Sequence, residues 1–134
     1  MSTPSRSVVR VRYAETDQMG ITYHASYFVW FEVARVDYIR ERGISYRDLE
    51  KKEGLHLPVI DAQARFLKPA FYDDVLEIRT RMVDLSGARI SFEYEVHREG
   101  TDGPIATGRT GHAAVDGQGR PRRFPPELRE RLES

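Results

Sequence analysis

Along this chain the apolar positions change period twice. From Val8 to Tyr13 the run VVRVRY alternates, with Val9, Val11 and Tyr13 on one face, the period-2 pattern of a strand packed on one side. The opening MSTPSRS lacks that pattern, so residues 1–7 are expected to fray. AETDQMGITYHA breaks the alternation with Gly20 and several polar residues and predicts a loop. Between Ser26 and Gly43 the period becomes 3.6: Tyr27, Trp30, Phe31, Ala34, Tyr38 and Ile39 fall on one helical face, with Ser26 as the expected N-cap and Gly43 as the residue past the C-cap. Phe28 and Val33 widen the apolar surface beyond one stripe, as suits a helix wrapped by a curved sheet. SYRDLEKKEG predicts a short helical piece ending at Gly54.

After Gly54 the period returns to 2. LPVIDAQARFL, VLEIRTRMVDL, ARISFEYEVHRE and PIATGRTGHAAVD are four strand candidates, and the third is the clearest: Ile90, Phe92, Tyr94 and Val96 alternate with Ser91, Glu93, Glu95 and His97. A tail over 125–134 follows, in which PELRERLE forms a terminal helical turn with Pro at its start. A strand, one long helix and four further strands make a single α+β domain over 1–134, with an antiparallel five-stranded sheet and one principal helix. Such a sheet leaves edges and one face uncovered, so pairing with a second copy is expected.

Composition narrows the function. The chain has 134 residues, enough for one core and no second lobe, and it is 40% hydrophobic and 31% charged. Lys plus Arg and Asp plus Glu stand at 21 each, so no global positive field exists to hold nucleic acid, and an anionic ligand must meet a local basic group. The absence of cysteine excludes disulfides, thiolate metal sites and a Cys nucleophile. No apolar signal core opens the chain and no stretch approaches the roughly 20 apolar residues of a membrane span, so the expectation is a soluble cytoplasmic protein.

The familiar motifs are missing. The sequence holds no G-x-S-x-G elbow, phosphate-binding loop, G-x-G-x-x-G fingerprint or H-E-x-x-H helix. His24, His56, His97 and His112 lie too far apart for ligand spacing, so no metal is expected. What remains is Asp17, in a loop just ahead of the aromatic helix and seven residues before His24. A helix start exposes unpaired N–H groups and a positive partial charge, which suit a developing oxyanion. A carboxylate facing them has the parts for acyl transfer, either attacking a carbonyl or deprotonating water. On residue type alone, the commoner job of a loop Asp is to form a turn or cap a helix.

RYAETDQMGITYHASYFVWFEVARVDYI resembles the signature of the hotdog-fold acyl-CoA thioesterases of the 4-hydroxybenzoyl-CoA thioesterase and YbgC-like group: an Asp, two residues, a Gly, then a Tyr or His at the helix start. Asp17, Gly20, Tyr23 and His24 occupy those places. The likeness continues into ARFLKPAFYDDVLEI and GRPRRFP and covers about residues 8 to 126. It implies a sheet wrapped around the long helix, a homodimer or homotetramer with active sites at the subunit interface, and hydrolysis of a short-chain, medium-chain or aromatic acyl-CoA. It also implies that Asp17 is the catalytic nucleophile or general base, that the His24 amide polarises the thioester carbonyl, and that Gly20 makes the close turn between them. Coenzyme A would be part of the substrate, with no retained cofactor. Its phosphates would need Lys or Arg, for which Lys68, Arg98, Arg109 and the group Arg120, Arg122 and Arg123 are candidates, together with Arg89, which stands just before Ser91-Phe92 where related enzymes place a basic contact. Arg89 reads equally as a solubilising strand residue.

Two other classes stay open on the same scaffold. An enoyl-thioester hydratase or dehydratase would use a carboxylate with a His, and His24 keeps that reading alive. A non-catalytic module that binds acyl thioesters is the other.

Overall fold

The computed structural model describes residues 3–134; Met1 and Ser2, part of the stretch expected to fray, lie outside the described residues. The elements are β1 (Ser5–Arg10), a short 3-10 turn (Tyr13–Glu15), α1 (Ser26–Glu41), α2 (Tyr46–Lys51), β2 (Val59–Phe66), β3 (Val75–Ser86), β4 (Arg89–Arg98), β5 (Ala106–Ala113) and α3 (Pro126–Glu133). The strands form one antiparallel sheet in the order β1-β3-β4-β5-β2. The sheet curls around α1, giving the hotdog architecture.

The apolar stripe of α1 fills the concavity. Tyr27, Trp30, Phe31, Ala34, Tyr38 and Ile39 are all buried, against Leu76, Ile78, Ile90, Phe92, Tyr94 and Val96 from the middle strands. The closest approach is at Phe31, whose ring stacks on Tyr94 at 4.4 Å with an 11° interplanar angle and faces Gly108 of β5. A Cβ at Gly108 would lie 2.3 Å from the Phe31 ring, so only glycine lets helix and sheet meet there. One charged residue shares the buried face: Arg35 donates to the Tyr94 hydroxyl at 3.2 Å.

Both ends of α1 differ in their agreement with the expected caps. At the C-terminus Gly43 takes φ 78°, its N–H reaches the Arg40 carbonyl, and the Ile44 N–H reaches the Ile39 carbonyl, closing a Schellman motif. At the N-terminus Ala25 and not Ser26 is the cap, because the Ser26 hydroxyl donates to the Glu15 carbonyl and no side chain caps the helix.

The first strand begins earlier than its pattern suggests. Ser5 and Ser7 are buried strand residues, and the Ser7 hydroxyl donates to Asp37 of α1 at 2.7 Å; residues 5–7 are therefore part of the sheet and not frayed. The tail is likewise packed, since Leu128 and Leu132 of α3 are buried in the core. Strand β2 is the contrasting edge: Val59, Ile60 and Phe66 are each about half exposed or close to it, and none of its eight residues is buried. Among the described residues no helix is long and apolar enough to cross a membrane.

Candidate active site

Asp17 sits on a small hairpin that the local sequence dictates. The Gly20 N–H bonds the Asp17 carbonyl, the Asp17 N–H bonds the Ile21 carbonyl, and Thr16 bridges Thr22. Gly20 closes the turn at φ 82°, a left-handed backbone that a side chain would strain. One Asp17 oxygen, Oδ1, accepts the Met19 N–H at 2.9 Å, while Oδ2 of this half-buried carboxylate has no partner among the described residues.

The hairpin is tied down on both sides. Ile21 bridges Phe71, and the backbone and hydroxyl of Thr22 both donate to the Ala70 carbonyl. Glu15, at its base, is 7% exposed, and its carboxylate accepts the Arg12 N–H at 2.7 Å and the Trp30 indole N–H at 2.9 Å. Through Trp30 the hairpin is fixed to the second turn of α1. The sequence marks Glu15 only as loop scaffolding; its indole partner emerges from the fold.

From the hairpin the chain runs directly into α1. The Tyr23 N–H returns to the Glu15 carbonyl, and the N–H groups of Ser26, Tyr27 and Phe28 turn back onto the carbonyls of Tyr23, His24 and Ala25. Among the described residues no acceptor faces the N–H of His24 or Ala25. These are the free donors a helix start supplies. The His24 ring packs against Tyr23 at 4.4 Å and Phe66 at 6.4 Å, with no hydrogen bond among the described residues. Burial raises the Tyr27 phenol pKa just behind it.

Around the hairpin lies exposed apolar surface: Tyr13, Met19, Tyr23, Phe66, Leu67 and Tyr72. It runs on into the exposed edge of β2. The structure therefore gathers Asp17, Gly20, Tyr23 and His24; Lys68 lies two residues from the Ala70 carbonyl that holds Thr22, with its Nζ donating to the Asp102 carbonyl at 3.4 Å. Arg89 does not join them within one protomer. It opens β4, whose other end at Arg98 lies beside Pro69 and Asp74, so nine strand residues, roughly 30 Å, separate it from the hairpin.

Of the other basic candidates, Arg123 is exposed and four are engaged elsewhere. Arg98 binds the Pro69 carbonyl and Asp74, Arg109 pairs with Glu93, Arg120 with Asp116, and Arg122 with the Glu53 carbonyl. Two clefts also lie apart from Asp17. One, of about 680 Å³, crosses the outer sheet face between Arg79, Arg81, Glu93 and Arg109; the other, of about 520 Å³, opens between α1, α2 and the start of β2. No group of acidic and histidine residues able to hold a metal occurs among the described residues.

Comparison with known proteins matches the thioesterase-like superfamily over residues 11–132, nearly the whole chain. The chain belongs to that family. It is 42% identical over 93 residues, 69% of its length and 67% of the relative's, to YneP of Bacillus subtilis (strain 168), whose assignment as an acyl-CoA thioesterase is itself provisional. It is 34% identical over 122 residues to the acyl-CoA thioesterase YbgC of Haemophilus influenzae, covering 90% of this chain and 88% of YbgC. A crystal structure of the DHNA-CoA thioesterase of Staphylococcus aureus superposes with a TM-score of 0.89 at 36% identity, covering 96% of this chain and 87% of that one.

Proposed function

We propose that this thioesterase-family member hydrolyses an acyl-CoA to free acid and coenzyme A, with Asp17 as the reacting carboxylate and the His24 N–H as oxyanion donor. One observation carries the reading: a half-buried carboxylate with a free oxygen is held on a pinned hairpin that leads straight into the unpartnered amides of α1.

The chemistry follows from that arrangement. A thioester carbonyl beside the His24 N–H is polarised, and its oxygen gains charge as the carbon becomes tetrahedral. Attack by Asp17 Oδ2 forms a mixed anhydride and expels the coenzyme A thiolate; water then cleaves the anhydride. If Asp17 acts as base, it takes a proton from water that attacks in its place. The Met19 N–H on Oδ1 fixes the carboxylate plane in either case. Because the His24 ring makes no hydrogen bond among the described residues, the backbone amide is the better candidate for the residue's contribution. No metal or retained cofactor enters the scheme, since coenzyme A arrives and leaves as part of the substrate.

The site is open to solvent on the side of β2, and a second copy would close it. Two β2 edges joined about a two-fold axis would continue the sheet, cover Ile60 and Phe66, and bring the partner's distant β4 end toward this hairpin. In that homodimer, or a tetramer built from it, Lys68 and the partner's Arg89 are the proposed contacts for the coenzyme A phosphates. We place the enzyme in the cytoplasm, where acyl-CoA is available.

The test is thiol release from a panel of short, medium and aromatic acyl-CoAs, including 1,4-dihydroxy-2-naphthoyl-CoA. Asp17→Asn should lower kcat/KM by at least about 100-fold with an unchanged circular dichroism spectrum. Wild-type turnover in Asp17→Asn would remove Asp17 from the reaction, and loss of a double bond without thiol release would point to a hydratase.

A further inference from the structure

The segment between β2 and β3, LKPAFYDD over 67–74, holds the Asp17 hairpin, yet burial hardly holds the segment. Of residues 67–73 only Ala70 is buried. The Ala70 carbonyl takes both the N–H and the hydroxyl of Thr22, and Phe71 bridges Ile21. Asp73 stands at φ 71°, a left-handed backbone that a residue with a side chain keeps only where its surroundings impose it. Hydrogen bonds therefore set the position of this segment, and through it the position of Asp17.

One guanidinium spans both ends of it. Arg98, the last residue of β4, donates from Nη1 to the Pro69 carbonyl at 2.5 Å and reaches Asp74 Oδ2 at 3.5 Å, while its Nε donates to the Thr101 hydroxyl at 3.2 Å. Asp74 Oδ2 also accepts the Phe71 N–H at 2.9 Å, and the Asp74 N–H closes on the Phe71 carbonyl. The two residues that grip the hairpin, Ala70 and Phe71, thus lie between the two that Arg98 grips. The Arg98 and Asp74 side chains are 22% and 26% exposed, a setting in which a charge-assisted pair is screened less than at the open surface. Arg10 pins Asp73 from the β1 side, through both its carbonyl and its carboxylate.

Arg98 is also a candidate for a coenzyme A phosphate, and its contacts weigh against that use. Nη1 is shared by Pro69 and Asp74 and Nε is taken by Thr101, so a phosphate would compete with three partners that the protein itself provides. The guanidinium also lies over the Phe71 ring, 5.9 Å from its centroid. The pair stands close to the reacting end of α1: burial raises the Tyr27 pKa, Arg98 works against that rise and Asp74 adds to it.

We propose that Arg98 is a positioning residue of the reaction: it fixes the 69–74 segment, the segment fixes the hairpin, and the hairpin sets Asp17 for the thioester carbonyl. This rests on the thioesterase reading above and gives Arg98 a part in turnover instead of in coenzyme A binding. Misplacing a reacting group by about 1 Å costs up to about 100-fold in rate, so loosening the segment lowers kcat and leaves KM nearly alone.

The experiment measures kcat and KM of Arg98→Met on the best acyl-CoA of the panel and on the N-acetylcysteamine thioester of the same acid, which has no phosphates. The expected result is a roughly tenfold or larger fall in kcat on both substrates, with KM for the acyl-CoA within about twofold of wild type. In an Asp17→Asn background the same substitution should cost less than about twofold, because the placing of the carboxylate matters only while it reacts. Should Arg98→Met not fold, Arg98→Lys takes its place: one ammonium on a flexible stem cannot span Pro69, Asp74 and Thr101 together, and kcat should fall at least about threefold on both substrates. Unchanged kcat, a loss confined to the acyl-CoA with a raised KM, or an equal loss in the Asp17→Asn background overturns this inference and leaves the thioesterase reading standing. Wild-type turnover by Asp17→Asn, or no thiol release from any acyl-CoA, overturns both.

Discussion

Gly108→Ala is the sharpest test of how tightly the sheet grips the helix. The new Cβ would sit 2.3 and 2.4 Å from Cε2 and Cζ of Phe31 and 3.1 Å from the Gln63 carbonyl oxygen. Carbon atoms in contact need about 3.5 Å, so the ring must retreat by about 1.2 Å. It cannot slide freely, because its other neighbour is the stacked Tyr94 ring. Overpacking of this kind costs about 3 kcal/mol, while loss of glycine flexibility from the unfolded chain returns about 1 kcal/mol. The net expectation is a loss of about 2 kcal/mol, a fall in melting temperature of roughly 6 to 10 °C at fixed protein concentration. Phe31→Leu in the Gly108→Ala background should recover part of that loss, giving a coupling energy of opposite sign to the single effects. A Gly108→Ala protein as stable as wild type in urea would refute the reasoning.

Three further outcomes follow from other contacts. Glu15→Gln removes the charge from the group that receives both the Arg12 amide and the Trp30 indole, and should cost about 1.5 to 3 kcal/mol in urea denaturation together with a loss of kcat; unchanged values for both would show that the hairpin does not depend on this anchor. Burial pushes the His112 pKa down to about 4 from its ordinary 6.5, so the unfolded chain takes up a proton that the folded chain refuses. Stability from this group is therefore complete above pH 6.5 and declines as the pH falls toward 4, by about 3 kcal/mol in all, and His112→Gln should flatten that part of the stability curve. Ile60→Lys combined with Ala62→Lys places charge on the exposed β2 edge and should give a monomer in sedimentation with thiol release reduced at least about tenfold; a fully active monomer would place the complete site within one chain.

Much of this was legible from periodicity. The six apolar residues of α1 are buried as their 3.6 spacing requires, and β4 alternates inward and outward as Ile90 to Val96 do in sequence. Polar residues in buried roles are the part that periodicity does not reveal. Ser5 and Ser7 hide the first half of β1, because an inward hydroxyl that finds Asp37 looks in sequence like a frayed end. Arg35 interrupts an apolar face and becomes intelligible only with Tyr94, Thr110 and His112 beside it. Ser26 reads as a cap until the Glu15 carbonyl is seen to take its hydroxyl. The strand order is a non-local property: β2 precedes β3 in the chain but pairs with β5, leaving an apolar run as the exposed edge. At the site, Asp17, Gly20 and His24 lie within eight residues and could be gathered from sequence, whereas Arg89 opens β4 at the end away from them and would join them only in the proposed dimer.

Trp30 is the sole tryptophan of the chain, 2% exposed, and its indole N–H ends on Glu15. Tryptophan fluorescence therefore comes from one place, the joint between hairpin and helix. Emission wavelength and lifetime will report, without any label, whether the hairpin is seated, when an acyl thioester disturbs it, and whether it comes away before the rest of the sheet on heating.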